Sequence, residues 1–490
     1  MSGSQAGRSR PDPSEEPHGA GGRSRPRCRS GRAAIGPAAL PLRAYLLTPR
    51  GEWRPTRKVG HAGGGPPGGG PPETNGLSPR ARQCGGGAGR PTATRGAAVT
   101  GSDAVFAELL ESSHRVAARE VPDLVEAAGR RLGLTGTRMY VADLQQVRLV
   151  AMPQTGPATG GHADALDIDS SLGGLAYRTR QVQVPRDGGT AWVPMIDGIE
   201  RVGVMQATAP AFPPALLDAG RALATLATLV LMSKSPYNDL VVKRERLRPM
   251  TVQAELVWAF LPPRTIGTAE ATSSAVLEPA YDIGGDAFDH SFTEDGLHLT
   301  LLDAMGHDLA SGGASATGLA ACRATRRAGG TLPDIARTID RTLDQWIPGR
   351  LMTAVIAHLD TVGGQFTWVN CGHPPPLLIR DGHVLPRVLE RTPQLPLGLG
   401  LHSEEPPALH RERLQPGDRV LIHSDGVTEA RGPDGSFFGE ERLADTVIRS
   451  TAAGDTAPEA LRRLIQFVRG HQEHKLRDDA TILLVEWHPG

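Results

Sequence analysis

The sequence predicts a mixed α/β (α+β) protein: two folded α/β segments behind an N-terminal stretch of about 100 residues that forms no core. Three observations predict it. Gly and Pro crowd the first 100 residues, as in Gly63 to Pro72 (GGGPPGGGPP). Residues 102–236 carry short strand-like runs between long runs of helical periodicity. From Ser274 onward, short apolar runs alternate with helices, and aspartates stand where the runs end.

The chain has 490 residues, more than one ordinary domain holds. Its expected divisions are a Gly/Pro/Arg-rich disordered tail (1–100), a first α/β domain (102–236), a helical connector (237–262) and a second α/β domain (263–488). A tail of that composition buries too little apolar surface to offset its chain entropy.

Lys+Arg and Asp+Glu both number 53, but the charge is uneven. Residues 1–100 hold 16 basic and 5 acidic side chains, so the remainder of the chain is net acidic. An acidic folded part argues against a nucleic-acid-binding enzyme core. The four cysteines, Cys28, Cys84, Cys322 and Cys371, form no CxxC pair and suit neither a disulfide framework nor a zinc site. Met1 to Glu16 has no apolar stretch of the secretory kind. The longest apolar run, Ala222 to Met232, is too short for a bilayer of about 30 Å. The expectation is a cytoplasmic protein that contacts neither nucleic acid nor membrane.

In the first α/β segment, Ala104 to Leu132 reads as a helix ending at Gly133. Met139–Ala142, Val147–Met152, Thr190–Met195 and Val202–Thr208 read as strands, and Leu172–Arg180 and Pro213–Lys234 as helices. His162 stands alone in a polar Gly-rich loop and reads as a surface residue. In the connector, Asp239–Arg248 and Val252–Phe260 read as helices parted by Pro249. The apolar stripe Val252, Leu256, Val257, Phe260 suits either dimerisation or packing on its own domain.

The chemistry lies further on. SAVLEPAYDIGGDAFD (274–289) places Asp286 directly after Gly284 and Gly285. LHLTLLDAMGHDLA (297–310) ends a strand, Leu297–Leu302, at Asp303, and a helix follows over about Leu309–Arg327. DRVLIHSDGVTEA (418–430) delivers Asp425 from the strand Val420–Ile422. RDDATILLVEW (477–487) sets Asp478 and Asp479 just before a last strand. Each piece alone is weak, since Asp-Gly marks turns everywhere. Together they put aspartates at four rigid strand ends or tight turns, with only Arg477 directly adjacent as a base. Converging carboxylates need cations. Oxygen donors alone select hard ions, Mg²⁺ or Mn²⁺. Two such ions can clamp a phosphoryl group and activate an attacking water.

Residues 102–236 resemble a GAF domain through RMYVADLQQVRLV, DIDSSLGGLAYRTRQVQ and WVPMIDGIERVGVMQA, in the order found in actinobacterial GAF–phosphatase fusions. That resemblance implies a small-molecule ligand or a dimerising role. Residues 253–487 resemble the SpoIIE-like bacterial branch of the metal-dependent, type 2C protein phosphatases. The motifs are LPPR (261–264), EPAYDIGGDAFD (278–289), LLDAMGH (301–307), MTAVIAHLD (352–360), WVNCGHPPPLLI (368–379), LPLGLG (395–400), LQPGDRVLIHSDGVTEAR (414–431) and DDATILLV (478–485).

The resemblance implies an α/β/β/α sandwich and two Mn²⁺ or Mg²⁺ ions. It implies Asp303 as the ligand bridging both, a backbone carbonyl ligand at Ala304, and Asp425 and Asp478 on the first metal. Asp286 falls near the second metal, directly or through water, and Asp479 behind the ligands. Asp303 and Asp425 are the expected catalytic residues. The implied reaction is hydrolysis of phosphoserine or phosphothreonine on a STAS-type anti-sigma-factor antagonist, regulated by the sensory domain. The alternative is a catalytically weak or inactive phosphatase-like signalling scaffold.

Two positions depart from the family pattern. Met305 replaces a histidine that eukaryotic members use as a general acid, and His307 does not inherit that role. Asp308 replaces a glycine and fits a helix N-cap better than a ligand. His373, His423, Cys322, Cys371, Trp258 and Trp368 read as structural.

Overall fold

The computed structural model describes residues 45–47, 53–55, 96–154, 164–473 and 476–488. Contacts divide the chain into Met1–Gly89 and Arg90–Gly490. In the first unit the described residues form one short antiparallel ladder, β1 (Tyr45–Leu47) on β2 (Trp53–Pro55), within the stretch expected to be a tail. The remainder of that expected tail up to residue 95, and His162, lie outside the described residues.

The second unit begins with α1 (Gly96–Ser113) and α2 (Val121–Arg131). The single helix expected over Ala104–Leu132 is therefore two. Pro122 is the reason: it lacks an N–H and clashes with the preceding turn, so it sits in the first turn of a new helix. Gly133, at φ +100°, ends α2 as expected. β3 (Gly136–Ala142), β4 (Arg148–Ala151), β5 (Ala165–Asp167), α3 (Leu172–Thr179), β6 (Thr190–Asp197), β7 (Glu200–Thr208) and α4 (Pro214–Lys234) follow. The sheet order is β5-β4-β3-β7-β6, antiparallel throughout. β5 was not expected.

One core joins α1, α2 and α4 to this sheet through Val105, Val125, Met139, Met205 and Leu223. Another fills the α3 side with Tyr140, Tyr177, Ile168 and Trp192. Helix α4 corrects the expectation that no stretch is long enough to cross a bilayer, because by length and composition Pro214–Tyr237 passes that test. In the structure its Leu223, Ala224, Ala227, Val230 and Leu231 belong to the domain core.

The connector forms α5 (Asp239–Glu245) and α6 (Val252–Trp258), with Pro249 between them. Ala254 and Val257 enter the core of the following domain, whereas Val252 is exposed. Trp258 Nε1 donates to the carbonyl of Ala280 at 2.8 Å.

Two stacked sheets follow. The first has the order β10-β11-β12-β13-β16. Its strands are β10 (Asp286–Thr293), β11 (Gly296–Ala304), β12 (Met352–Leu359), β13 (Gln365–Cys371) and β16 (His410–Arg413). The second has the order β15-β14-β17-β18-β9-β8. It comprises β8 (Thr265–Gly267), β9 (Ala271–Glu278), β14 (Leu377–Arg380), β15 (His383–Leu385), β17 (Arg419–His423) and β18 (Ala480–Trp487).

Helices α7 (Leu309–Arg327) and α8 (Leu332–Trp346) share a core with the first sheet. Helices α10 (Gly439–Ala452) and α11 (Ala457–His471) share one with the second. The one-turn helix α9 (Asp425–Thr428) follows β17. The result is a four-layer α/β/β/α sandwich. Strands such as β11 and β18 read as near-continuous apolar runs because both of their faces are covered. Trp368 is fully buried and stacks on Phe366 at 5.4 Å between centroids.

Candidate metal centre

The sandwich brings strand ends from both sheets to one place. β10 and β11 pair so that Asp286 stands directly opposite Asp303. Asp425 caps the end of β17, and Asp478 and Asp479 precede β18, which pairs with β17. Asp286 and Asp479 are buried, Asp303 is half-buried, and Asp425 and Asp478 are exposed. The cluster is thus anchored inside and open at its rim.

Its electrostatics are those of crowded carboxylates. Burial, then Asp425, Asp478 and Asp479, push the Asp303 carboxyl up to about 7. Burial, then Asp303 and Asp479, push Asp286 well above the usual carboxylate range. Burial, then Asp478 and Glu429, raise Asp425. Asp286 Oδ2 is buried without a hydrogen-bond partner. A buried oxygen left unpaired among like charges is costly, and a hard cation satisfies it. The donor set is all oxygen, so the residues present fit Mg²⁺ or Mn²⁺.

Asp479 does different work. Its Oδ2 accepts the backbone N–H groups of Gly284, Gly285 and Asp286 at 2.8, 2.7 and 3.0 Å. Burial still carries this carboxyl up to about 6. Asp479 therefore ties the second sheet to the loop that aims Asp286. Gly285 is needed because a Cβ there would lie 1.9 Å from the carbonyl oxygen of Ala304. Gly285→Ala is expected to destabilise the domain by about 1–3 kcal/mol through overpacking and to weaken Mn²⁺ binding. Thermal unfolding and Mn²⁺ titration check this; wild-type values for both would rule out the close approach.

Asp308 forms a capping box with Ser311 at the start of α7: its Oδ1 accepts Ser311 N–H at 2.9 Å. Its Oδ2 accepts from Arg350 Nη2 at 2.6 Å. The Ser311 N–H and the Arg350 guanidinium hold its carboxyl down at about 2. Arg350 also donates to the carbonyl of Met305 at 3.1 Å, so it braces the turn after Asp303. Met305 is 55% exposed.

His373, read as structural in the sequence, has definite partners. His373 Nε2 lies 3.0 Å from the carbonyl of His423 and must donate to it. Burial holds the ring neutral, down to about 3, so Nδ1 accepts from the Thr353 hydroxyl at 2.7 Å. Thr353 stands opposite Asp303 on β12, and its hydroxyl proton is spent on His373, which fixes that side chain beside the cluster. Cys322 and Cys371 are buried; burial raises both thiols, Cys371 to about 12, and neither suits a nucleophile. Sequence reasoning assigned no role to Arg350 or to Thr353, although Thr353 lies within the motif MTAVIAHLD (352–360).

Residues 293–488 match the family model "Stage II sporulation protein E (SpoIIE)". Protein IcfG of Synechocystis sp. is 27% identical over 128 residues, covering 26% of this chain and 19% of its own length, so the chain spans about a fifth of that curated relative. Among solved structures, the RsbU and RsbW domains of Rv1364c from Mycobacterium tuberculosis are 27% identical. They cover 45% of this chain and 62% of that one at TM-score 0.38. The SiaA-PP2C domain of Pseudomonas aeruginosa is 21% identical and covers 48% and 94% at TM-score 0.40. The catalytic domain of the serine/threonine phosphatase PstP, solved with two manganese ions, is 19% identical and covers 45% and 99% at TM-score 0.33. Over residues 293–488, the chain is thus similar to the Stage II sporulation protein E family.

Proposed function

We propose that residues 263–488 are a Mn²⁺- or Mg²⁺-dependent protein phosphatase that hydrolyses phosphoserine or phosphothreonine. The observation that carries this reading is the meeting of carboxylates from two sheets around Asp303, with Asp286 Oδ2 left unpaired. Asp286, Asp303, Asp425, Asp478 and the carbonyl of Ala304 would hold two hard cations. Such cations supply the Lewis acidity that polarises a phosphoryl oxygen and acidifies an attacking water. The chain's own part is positional. Asp479 holds the loop before Asp286, His373 fixes Thr353 opposite Asp303, and Arg350 braces the turn behind it. The exposed carboxylates Asp425 and Asp478 leave the rim open to a phosphorylated side chain. With Met305 apolar, no side chain at that position hands a proton to the leaving group. The direct test is phosphate release from a phosphoprotein in Mn²⁺, with Asp303→Ala as control; equal rates would sink the reading.

The scaffold alternative draws on Asp308 and on the histidine missing at Met305; the capping box accounts for Asp308. Asp308→Ala is expected to lower Tm measurably, through loss of the cap and of Arg350's partner, while Mn²⁺ affinity measured by calorimetry stays unchanged. A large loss of affinity would instead make Asp308 a ligand.

For the substrate, the reading is a phosphorylated STAS-type anti-sigma-factor antagonist. The SpoIIE family match and the RsbU and RsbW domains among the similar structures support it. Residues 102–236 fit a GAF-like sensor. Their contacts with the phosphatase domain support a regulatory role: Gln145 Nε2 donates to Glu278 at 2.7 Å, at the start of the segment leading to Asp286.

A further inference from the structure

A second cluster of metal-ligating side chains lies at the other end of the first sheet. His298 on β11 and His358 on β12 are register partners, with ring centroids 4.7 Å apart. Asp295 sits in the turn between β10 and β11. One donor atom from each of the three lies within 4.8 Å of the others. His298 and Asp303 are five positions apart on β11, which at about 3.4 Å per residue is roughly 17 Å. The two clusters are separate.

The local chain is shaped around His358 Nε2. Gly296, at φ +146°, lets the turn close over it; a Cβ there would lie 2.9 Å from that nitrogen and 2.1 Å from the carbonyl oxygen of Leu359. The nitrogen is buried and has no hydrogen-bond partner. It faces Asp295 Oδ2 at 3.7 Å, too far for a hydrogen bond. Thr293 Oγ1 donates to Asp295 Oδ1 at 2.6 Å, which turns the other oxygen of that carboxylate to the histidines. The nearby cation Arg326 is engaged with Asp289 at 2.6 Å.

We infer that Asp295, His298 and His358 form a zinc site, with three protein donors and one position left for water. Two imidazoles and one carboxylate select Zn²⁺ or a neighbouring transition ion over Mg²⁺ and Mn²⁺. Zn–N distances of about 2.0–2.1 Å put tetrahedral donors roughly 3.3 Å apart. The required closure is supplied by Asp295, whose side chain is 75% exposed. The ion would staple the β10–β11 turn to β12. The inference does not depend on the phosphatase reading, because the hard-ion centre shares none of these residues.

The test uses the full chain in excess Mg²⁺, which fills the all-oxygen centre, with Zn²⁺ titrated by calorimetry and Co²⁺ followed by visible absorption. The expected result is one further equivalent of Zn²⁺ and the strong absorption of a low-coordinate Co²⁺ site. His298→Gln and His358→Gln should each weaken Zn²⁺ by more than the about 10–100-fold typical of an outer-shell change. Unchanged Tm without zinc and unchanged Mn²⁺-dependent activity would show that these variants fold. Absence of the extra equivalent, or its persistence in the double variant, overturns the site.

Discussion

Asp303→Ala is expected to cut Mn²⁺-dependent phosphate release by at least about 10³-fold, since a ligand shared by two cations underwrites several kcal/mol of transition-state stabilisation. The fold should survive, because the substitution removes a carboxyl whose ionisation the structure already disfavours. Burial and the neighbouring acids raise Asp303 to about 7. Without metal, the variant should be at least as stable as the parent above that pH, where the parent bears an ionised and repelled carboxylate. Activity and metal-free Tm therefore move in opposite directions, which separates loss of the site from loss of the fold. Turnover within tenfold of the parent would mean that the two-sheet carboxylate cluster is not the reaction centre.

Glu459→Ala is expected to cost about 3–5 kcal/mol, the scale for breaking a buried ion pair by removing one partner. Glu459 lies on α11 between Arg201 of β7, at 2.7 Å, and Arg462, at 2.9 Å, and all three side chains are almost fully buried. Arg462 also pairs with Asp169, and Arg201 lies over the Tyr177 ring at 4.6 Å. Burial alone would raise the Glu459 carboxyl; Arg462 and Arg201 outweigh it and hold it below its ordinary value. The sign follows: this stabilisation is present above the ordinary glutamate range and is lost as pH falls through the lowered value. Removing the carboxylate leaves the buried Arg201 without an ion-pair partner and Arg462 with Asp169 alone, at the contact between the first α/β domain and α11. Denaturant unfolding should show the loss, and limited proteolysis should show early cleavage between the two domains. A change below about 0.5 kcal/mol, the range of ordinary surface substitutions, would mean that this network does not hold the domains together.

Between residues 102 and 260 most elements were legible from local pattern, and beyond them β11, α7, β17 and β18; β8, β9, β10, β12 to β16, α8, α10 and α11 were not picked out. Helix α7 begins and ends where the sequence placed it, because Asp308 caps one end and the apolar periodicity runs out at the other. The strand ends carrying Asp303, Asp425 and Asp479 were legible because apolar runs stop at acids. The long helix expected over Ala104–Leu132 failed at Pro122, where one missing N–H outweighed an otherwise continuous periodicity. Strand β5 escaped notice because three half-buried residues carry too short a pattern to register.

By itself the sequence determined which residue types stand at the strand ends, and hence that the chemistry belongs to oxygen donors and hard cations. That follows from local rules, since an acid after an apolar run, or beside paired glycines, marks a rigid terminus wherever the run packs. Only the tertiary structure decided the assignment of tasks. Asp286 faces Asp303 through the register of β10 and β11, whereas Asp479 spends one oxygen on three backbone N–H groups of a loop almost two hundred residues away. Thr353, His373 and Arg350 became supports of the site by the same route. So did the pairing of His298 with His358 beside Asp295. Sequence periodicity specifies the face and end of an element that a residue occupies. Which distant element meets it there is set by sheet order and register, and these depend on burying the whole core at once.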